Sequence, residues 1–275
     1  VNDRAELSGF LTSRRARLRP AEVGLRDYGR TRRVAGLRRE ELARLAGVSI
    51  AHYTRLEQGR SEQVSDEVLD AIGAALRLDG DELDYLHQLA RRPRHCPDPE
   101  ATPEVSAGVR HLLESMVLTP AVLLGRFTQV IAWNPLAAAV FGDFAAVPEE
   151  RRTITHLLFT DDRYRELYGA GWESAAHDHV AHLRVLFGRY RGDARVVAHI
   201  TEMRSSSVEF ERLWSSHPVA RTRSRTTHLH HPHAGELLLH AELVSLPEAP
   251  ACCGLDMYAA EPGSNSEAAL RNLAA

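Results

Sequence analysis

Apolar residues recur at helical spacing from the start of the chain, where Leu7, Phe10, Leu11 and Leu18 share one side and Arg14, Arg15 and Arg17 the other. Pro20, Gly24, Gly29, Gly36 and five arginines then interrupt that period, so the stretch from Arg19 to Gly36 reads as a basic loop. The segment GLRREELARLAGVSIAHYTRLEQGR, Gly36 to Arg60, holds two short helical periods separated by Gly47-Val48-Ser49, and two helices are expected to meet there at a tight turn. In the first, Leu37, Leu42 and Leu45 are expected inside. In the second, Ser49 is the N-cap, Tyr53 and Leu56 point inward, and Gly59 ends the helix. Ile50, Ala51, His52 and Arg55 are left facing outward. Two more amphipathic helices, Ser65 to Leu78 and Asp81 to Ala90, bring the expected number to five.

The run Arg91 to Glu104 contains four prolines and almost no large apolar residue, which marks an interdomain linker. Beyond it a helix is expected over 105–117, and AVLLGRFTQVIAW forms a hairpin turning near Gly125-Arg126. Asn134 caps a helix containing Leu136, Ala137, Val140 and Phe141, and further helices are expected over 150–168, 172–191, 193–204 and 207–215. TRSRTTHLHHPH, GELLLHAELVSL and CCGLDMYAAEP read as strands, followed by a short helix over 266–273. Five strands around intervening helices predict an α+β domain. The expected organisation is therefore an all-α domain over 1–94, a linker over 95–104 and an α+β domain over 105–275.

Composition narrows the class. With 44% hydrophobic and 26% charged residues, the chain has the balance of a folded soluble protein. No window approaches the ~18 consecutive apolar residues of a membrane span, and the first residues lack a signal-peptide core, so a cytoplasmic location without membrane insertion is expected. Cys96, Cys252 and Cys253 are odd in number and lack zinc-ligand spacing, and they read as reduced thiols. The net charge of −3 conceals an asymmetry: residues 1–60 carry 14 Arg against 7 acids, whereas residues 96–275 carry 16 Arg against 22. Only the front of the chain suits a polyanion. All 34 basic residues are arginine, whose guanidinium can bind phosphate or guanine through two parallel hydrogen bonds.

No nucleophile elbow, phosphate-cradling Gly-Lys motif or His-Glu-x-x-His is present, so no catalytic residue is assigned. The cluster His228, His230, His231 and His233 suits metal ligation by residue type. Pro232 and Gly235 place it at a hairpin end, however, without an accompanying Cys, Asp or Glu. These residues are read as strand and turn, and no metal or cofactor is assigned.

The order helix, Ala46-Gly47-Val48-Ser49 turn, helix, Leu56-Glu57-Gln58-Gly59 resembles the Xre (Cro and repressor-like) helix-turn-helix family. Together with WNPLAAAVFGDF, SSSVEFERLWSSH and HPHAGELLLHAELVSLP, it resembles the MmyB-like transcription regulators across nearly the whole chain. The resemblance implies a repressor-like DNA-binding domain followed by a PAS-like ligand-binding domain, with long-chain fatty acids as the ligand class. It also implies that Glu57 pairs internally with Arg15.

On that reading the helix beginning at Ser49 enters the major groove. Arg55 is the expected base reader, His52, Ile50 and Ala51 are secondary contacts, and Arg38, Arg39 and Arg60 position the phosphates. A homodimer on a two-fold symmetric double-stranded operator is expected. Candidate pocket residues are Phe127, Ile131, Trp133, Asn134, Phe187, Phe210 and Trp214, within a wider apolar set that includes Leu123, Phe141 and Leu158. Arg184, Arg204, Arg212, Asn134 and His217 are candidates to hold an acidic head group. The alternative is a DNA-binding protein whose second domain only dimerises or recruits a partner, without a small-molecule ligand.

Overall fold

The computed structural model describes residues 3–25, 36–61, 64–91, 105–221, 224–246 and 252–275, with the side chains of Asp3, Cys252 and Cys253 excepted. Most of the expected basic loop, the linker over 95–104 and Cys96 lie outside the described residues.

Local capping sets the helices of the first domain: α1 (Asp3–Arg17), α2 (Arg39–Leu45), α3 (Ile50–Glu57), α4 (Asp66–Ala75) and α5 (Gly80–Ala90). Ser49 Oγ accepts from His52 N at 3.1 Å, and Asp79 Oδ1 accepts from Glu82 N at 2.9 Å, each satisfying a backbone donor that the helix itself leaves free. Between α2 and α3 the chain turns at Gly47 with φ +66°, a left-handed conformation that glycine adopts without steric cost. Phe10, Leu11, Leu37, Leu42, Tyr53, Leu56, Ile72 and Leu86 bury together as one core.

Two expectations for this domain fail. Leu45 is 37% exposed, at the open end of α2. Arg14 is only 2% exposed, with its Nε 2.7 Å from Glu82 and its Nη2 donating to the His217 carbonyl at 2.7 Å. The reason is tertiary: the second domain covers that side of α1.

In the second domain, α6 (Ala107–Ser115) precedes β1 (Ala121–Gly125) and β2 (Val130–Trp133). Then come α7 (Pro135–Phe141), α8 (Ile154–Thr160), α9 (Asp162–Tyr168), α10 (Trp172–Tyr190), α11 (Ala194–Ser206) and α12 (Val208–Ser215). The chain returns through β3 (Ser224–His231), β4 (Gly235–Val244) and β5 (Cys252–Ala260) and ends in α13 (Asn265–Ala274). The strands form an antiparallel sheet in the order β2-β1-β5-β4-β3, so β5 pairs with β1 and closes the domain. This is the α+β half of the molecule. The single helix expected over 150–168 is two, because Asp161 leaves helical geometry and its carboxylate caps α9 by accepting from Arg163 N at 3.0 Å.

Strand alternation gives the sheet two buried faces. Leu123 and Leu255 pack with Leu113 of α6 on one face. Val122, Leu124, Leu239 and Tyr258 pack with α7, α9 and α13 on the other. A separate helical core joins Phe187, Met203, Phe210 and Trp214.

The two domains meet along α1, α5 and α10. Glu6 is 4% exposed and accepts from Tyr85 Oη at 2.9 Å, while the guanidinium of Arg184, 0% exposed, pairs with the same carboxylate. Arg191 donates to the carbonyls of Gln88 and Arg91, and Arg221 pairs with Asp81 and Asp84. Val185 and Val219 join the core of the first domain. Gly188 allows the close approach: a β-carbon there would lie 2.7 Å from the Tyr85 ring.

Candidate DNA-binding face and ligand cavity

The docked arrangement leaves the outer side of α3 uncovered. Ile50 is 53% exposed, and Ala51 and Arg55 are exposed beside it. Arg55 and Arg60 have no side-chain partner among the described residues, so both guanidinium groups are free to meet DNA. Arg38 is the N-cap residue of α2, with its backbone N–H donating to Glu41 at 2.7 Å and its side chain 3.5 Å from Glu40.

Other candidates are partly engaged within the protein. The Ser49 hydroxyl caps α3, and His52 is half-buried with its Nε2 shielded. Arg39 donates to Glu57 Oε1 at 3.2 Å, so it stabilises the fold as well as facing solvent. Glu57 is buried and also receives Arg15 at 2.9 Å and Thr12 at 2.9 Å. Burial works against its charge, but these donors outweigh it and hold the carboxyl below its ordinary range. The internal pair of Glu57 and Arg15 therefore stands as the resemblance implied, with two further donors.

The second domain holds a cavity of about 250 Å³ between the sheet and the helical insertion, open to solvent beside Ser174 and Asp178. Val122, Leu124, Phe141, Phe144, Ile154, Leu158 and Leu243 supply apolar wall. His179 and His182 on α10, Tyr164 and Tyr168 on α9, Arg225 on β3, and Asp256 and Tyr258 on β5 supply the polar part.

Arg225 organises that part. Its Nη2 donates to Asp256 Oδ2 at 2.7 Å and to the Tyr258 hydroxyl at 2.8 Å, and the same hydroxyl donates to Asp256 Oδ2 at 2.8 Å. Burial opposes the charge of Arg225, but Tyr258 and Asp256 outweigh it and raise its pKa. Burial lowers His179 to about 3 and His182 to about 4, so both imidazoles are neutral. His179 Nε2 lies 2.9 Å from Thr155 Oγ1. The Tyr164 hydroxyl and Asp256 Oδ1 are buried without a hydrogen-bond partner among the described residues.

Residues 105–273 match the MmyB-like transcription regulator ligand binding domain, and residues 6–86 match a helix-turn-helix domain. The chain belongs to the MmyB-like transcription regulator family. A comparison with curated proteins gave no match. The MmyB-like assignment makes the chain a DNA-binding transcription regulator with a ligand-binding second domain rather than an enzyme. No helix among the described residues is long and apolar enough to cross a membrane.

None of the seven pocket residues chosen from sequence lines the cavity of this MmyB-like regulator. Ile131 packs with the cluster under α6, on the opposite face of the sheet. Phe187, Phe210 and Trp214 form the helical core, with Phe210 and Trp214 stacked at 5.8 Å. Trp133 packs on Phe144 at 5.3 Å, and Phe127 lies against His199 at 5.1 Å. Asn134 caps α7 and donates to the carbonyls of Met116 and Thr119, each at 2.8 Å. From the wider set, Phe141 and Leu158 do line the cavity.

The proposed head-group residues are also committed elsewhere. Arg184 and His217 belong to the domain interface, Arg204 pairs with Glu211 at 2.6 Å, and Arg212 pairs with Glu173 at 3.0 Å. The basic group that does line the cavity is Arg225, which sequence reasoning missed. Its signal was present: Arg225, Thr227, Leu229 and His231 alternate onto the more buried face of β3.

The histidine cluster is dispersed by the same alternation. His228 lines the cavity, while His231 is buried, with its Nε2 3.0 Å from the Ala139 carbonyl. His231 Nδ1 accepts from the backbone N–H groups of His233 and Ala234, fixing the turn.

Proposed function

We propose that this regulator binds a small amphiphile in the cavity of its second domain, with long-chain fatty acids as the leading class, and that occupancy alters its grip on DNA. The observation that carries this reading is the composition of the cavity wall: an apolar surface beside a buried polar group that retains unmet hydrogen bonds. Buried polar atoms are normally satisfied, so Tyr164 and Asp256 call for an occupant. Arg225 spends one nitrogen, Nη2, on its partners among the described residues, which leaves donors for an acidic head group. The volume of about 250 Å³ lies just below the ~300–1,000 Å³ common for drug-sized ligands, so a long acyl chain requires the cavity to widen.

Helix α10 is the element that links the two sites. Ser174, Ala175, Asp178, His179 and His182 line the cavity, and Arg184, Val185 and Gly188 of the same helix, with Arg191 just beyond it, meet the DNA-binding domain. A ligand that shifts or stiffens this helix alters how the first domain is held, provided its affinity differs between the two arrangements. The DNA-bound form is a cytoplasmic homodimer on a two-fold operator, in keeping with the few base pairs that one recognition helix spans.

Native mass spectrometry of the purified chain, before and after organic extraction, tests the ligand reading. The expected result is a stoichiometric fatty acid or similar amphiphile that rebinds to the extracted chain and fails to rebind to Arg225→Leu. A chain that is empty on purification and takes up no fatty acid would transfer the second domain to a purely dimerising or recruiting role.

A further inference from the structure

Apart from the cavity, the second domain gathers three metal-ligating side chains whose role the DNA and ligand readings leave unexplained. His156 stands in the first turn of α8, and His199 and Glu202 are three residues apart on α11, where that spacing puts them on neighbouring positions of one side. One ligand atom from each lies within 4.8 Å of the other two. Both histidines are 5% exposed, whereas Glu202 reaches out to solvent. His199 Nε2 is buried without a hydrogen-bond partner among the described residues, a state that costs free energy unless something occupies it.

We propose that His156, His199 and Glu202 form a binding site for a divalent transition-metal ion, with zinc the best chemical fit. Two imidazoles and one carboxylate are a ligand set that zinc takes with a fourth position left for water, whereas calcium and magnesium prefer all-oxygen sites. The outer partner is already in place: His156 Nδ1 lies 2.9 Å from Thr153 Oγ1, and a donated Nδ1–H turns the lone pair of Nε2 toward the ion. Without metal, His156 Nε2 lies 3.4 Å from Glu202 Oε1, a contact that the ion would replace. Tetrahedral zinc with bonds of ~2.0–2.1 Å holds its ligands ~3.4 Å apart, so the three atoms must draw together slightly. Glu202 is exposed and can supply most of that movement.

The site adjoins the cavity without sharing its residues. Thr155, next to His156, touches His179 of the cavity wall through its hydroxyl. An ion here ties α8 to α11 immediately behind that wall.

The test is equilibrium dialysis of the metal-free full chain against zinc alone, with the visible spectrum of a cobalt-substituted sample reporting coordination geometry. One zinc per chain is expected, with a tetrahedral cobalt spectrum. His199→Gln and Glu202→Gln should each weaken binding by more than the ~10–100-fold that follows loss of an outer partner. The exposed position of Glu202 guards against a folding defect in its variant, and His233→Asn should bind as the parent does. Absence of zinc binding, or zinc retained equally by both ligand variants, would overturn the assignment.

Discussion

Replacing Glu6 with alanine is expected to destabilise the chain by about 3–5 kcal/mol, because it leaves the guanidinium of Arg184 buried and uncompensated. The remaining neighbours of Arg184 do not substitute for the carboxylate. The Trp214 carbonyl accepts one hydrogen bond, His217 Nδ1 lies 3.1 Å from the guanidinium, and the Trp214 ring lies 3.9 Å from Cζ. His217 is held neutral, since burial and then Arg184 and Arg14 lower it to about 3. The Tyr85 hydroxyl loses the hydrogen bond to Glu6 in the same variant.

Urea unfolding measures the loss, and a Glu6→Leu, Arg184→Met double variant separates its causes. Removing both charges is expected to recover much of the stability, since a buried ion pair is often replaceable by apolar side chains of similar size. A loss below ~1 kcal/mol in the single variant would mean that water reaches Arg184 and that the two domains are not held by this pair.

Replacing Arg55 with alanine is expected to reduce discrimination between the operator and base-substituted versions of it by about 1–3 kcal/mol, or ~5- to ~150-fold. Arg55 lies on the exposed face of α3, on a helix fixed at its start by Ser49 and packed through Tyr53 and Leu56, and its guanidinium has no partner among the described residues to release first. Nonspecific binding should change little, since it rests on phosphate contacts made by the other arginines. Competition binding against variant duplexes at fixed salt reads the effect. Uniform weakening on every duplex would assign Arg55 to phosphate instead.

Much of this architecture was legible because local chemistry determines it. The turn at Gly47, the caps at Ser49, Ser65 and Asn134, and the alternation in β3 and β4 each leave a sequence pattern independent of distant contacts. The exposed side of α3 was legible for a related reason: residues left outside the apolar stripe of an amphipathic helix face solvent, as Ile50, Ala51 and Arg55 do.

The cavity was not legible. Its wall is assembled from α9, α10, β1, β3 and β5, which are distant in sequence, and apolar type alone does not distinguish a residue facing a cavity from one packed in solid core. Ile131 and Phe187 satisfied the same criterion as Leu158 and Phe141. Strand parity alone does not place Ile131: Val130 and Trp133 both pack with Val122 and Leu124, and the bulge where the register of β2 on β1 shifts turns Ile131 to the other face. The burial of Arg14 and Arg184 was hidden for a similar reason: each has a partner on the other domain.

The most direct test of ligand-responsive DNA binding is the affinity of the extracted full chain for a duplex obtained by selection from random DNA, measured with and without a saturating long-chain fatty acid. Coupling through α10 predicts a change of at least ~5-fold in Kd, the lower end of typical linkage between two sites. An unchanged Kd, with the fatty acid shown to be bound in the same sample, would contradict that coupling and leave the cavity a binding site without a regulatory output.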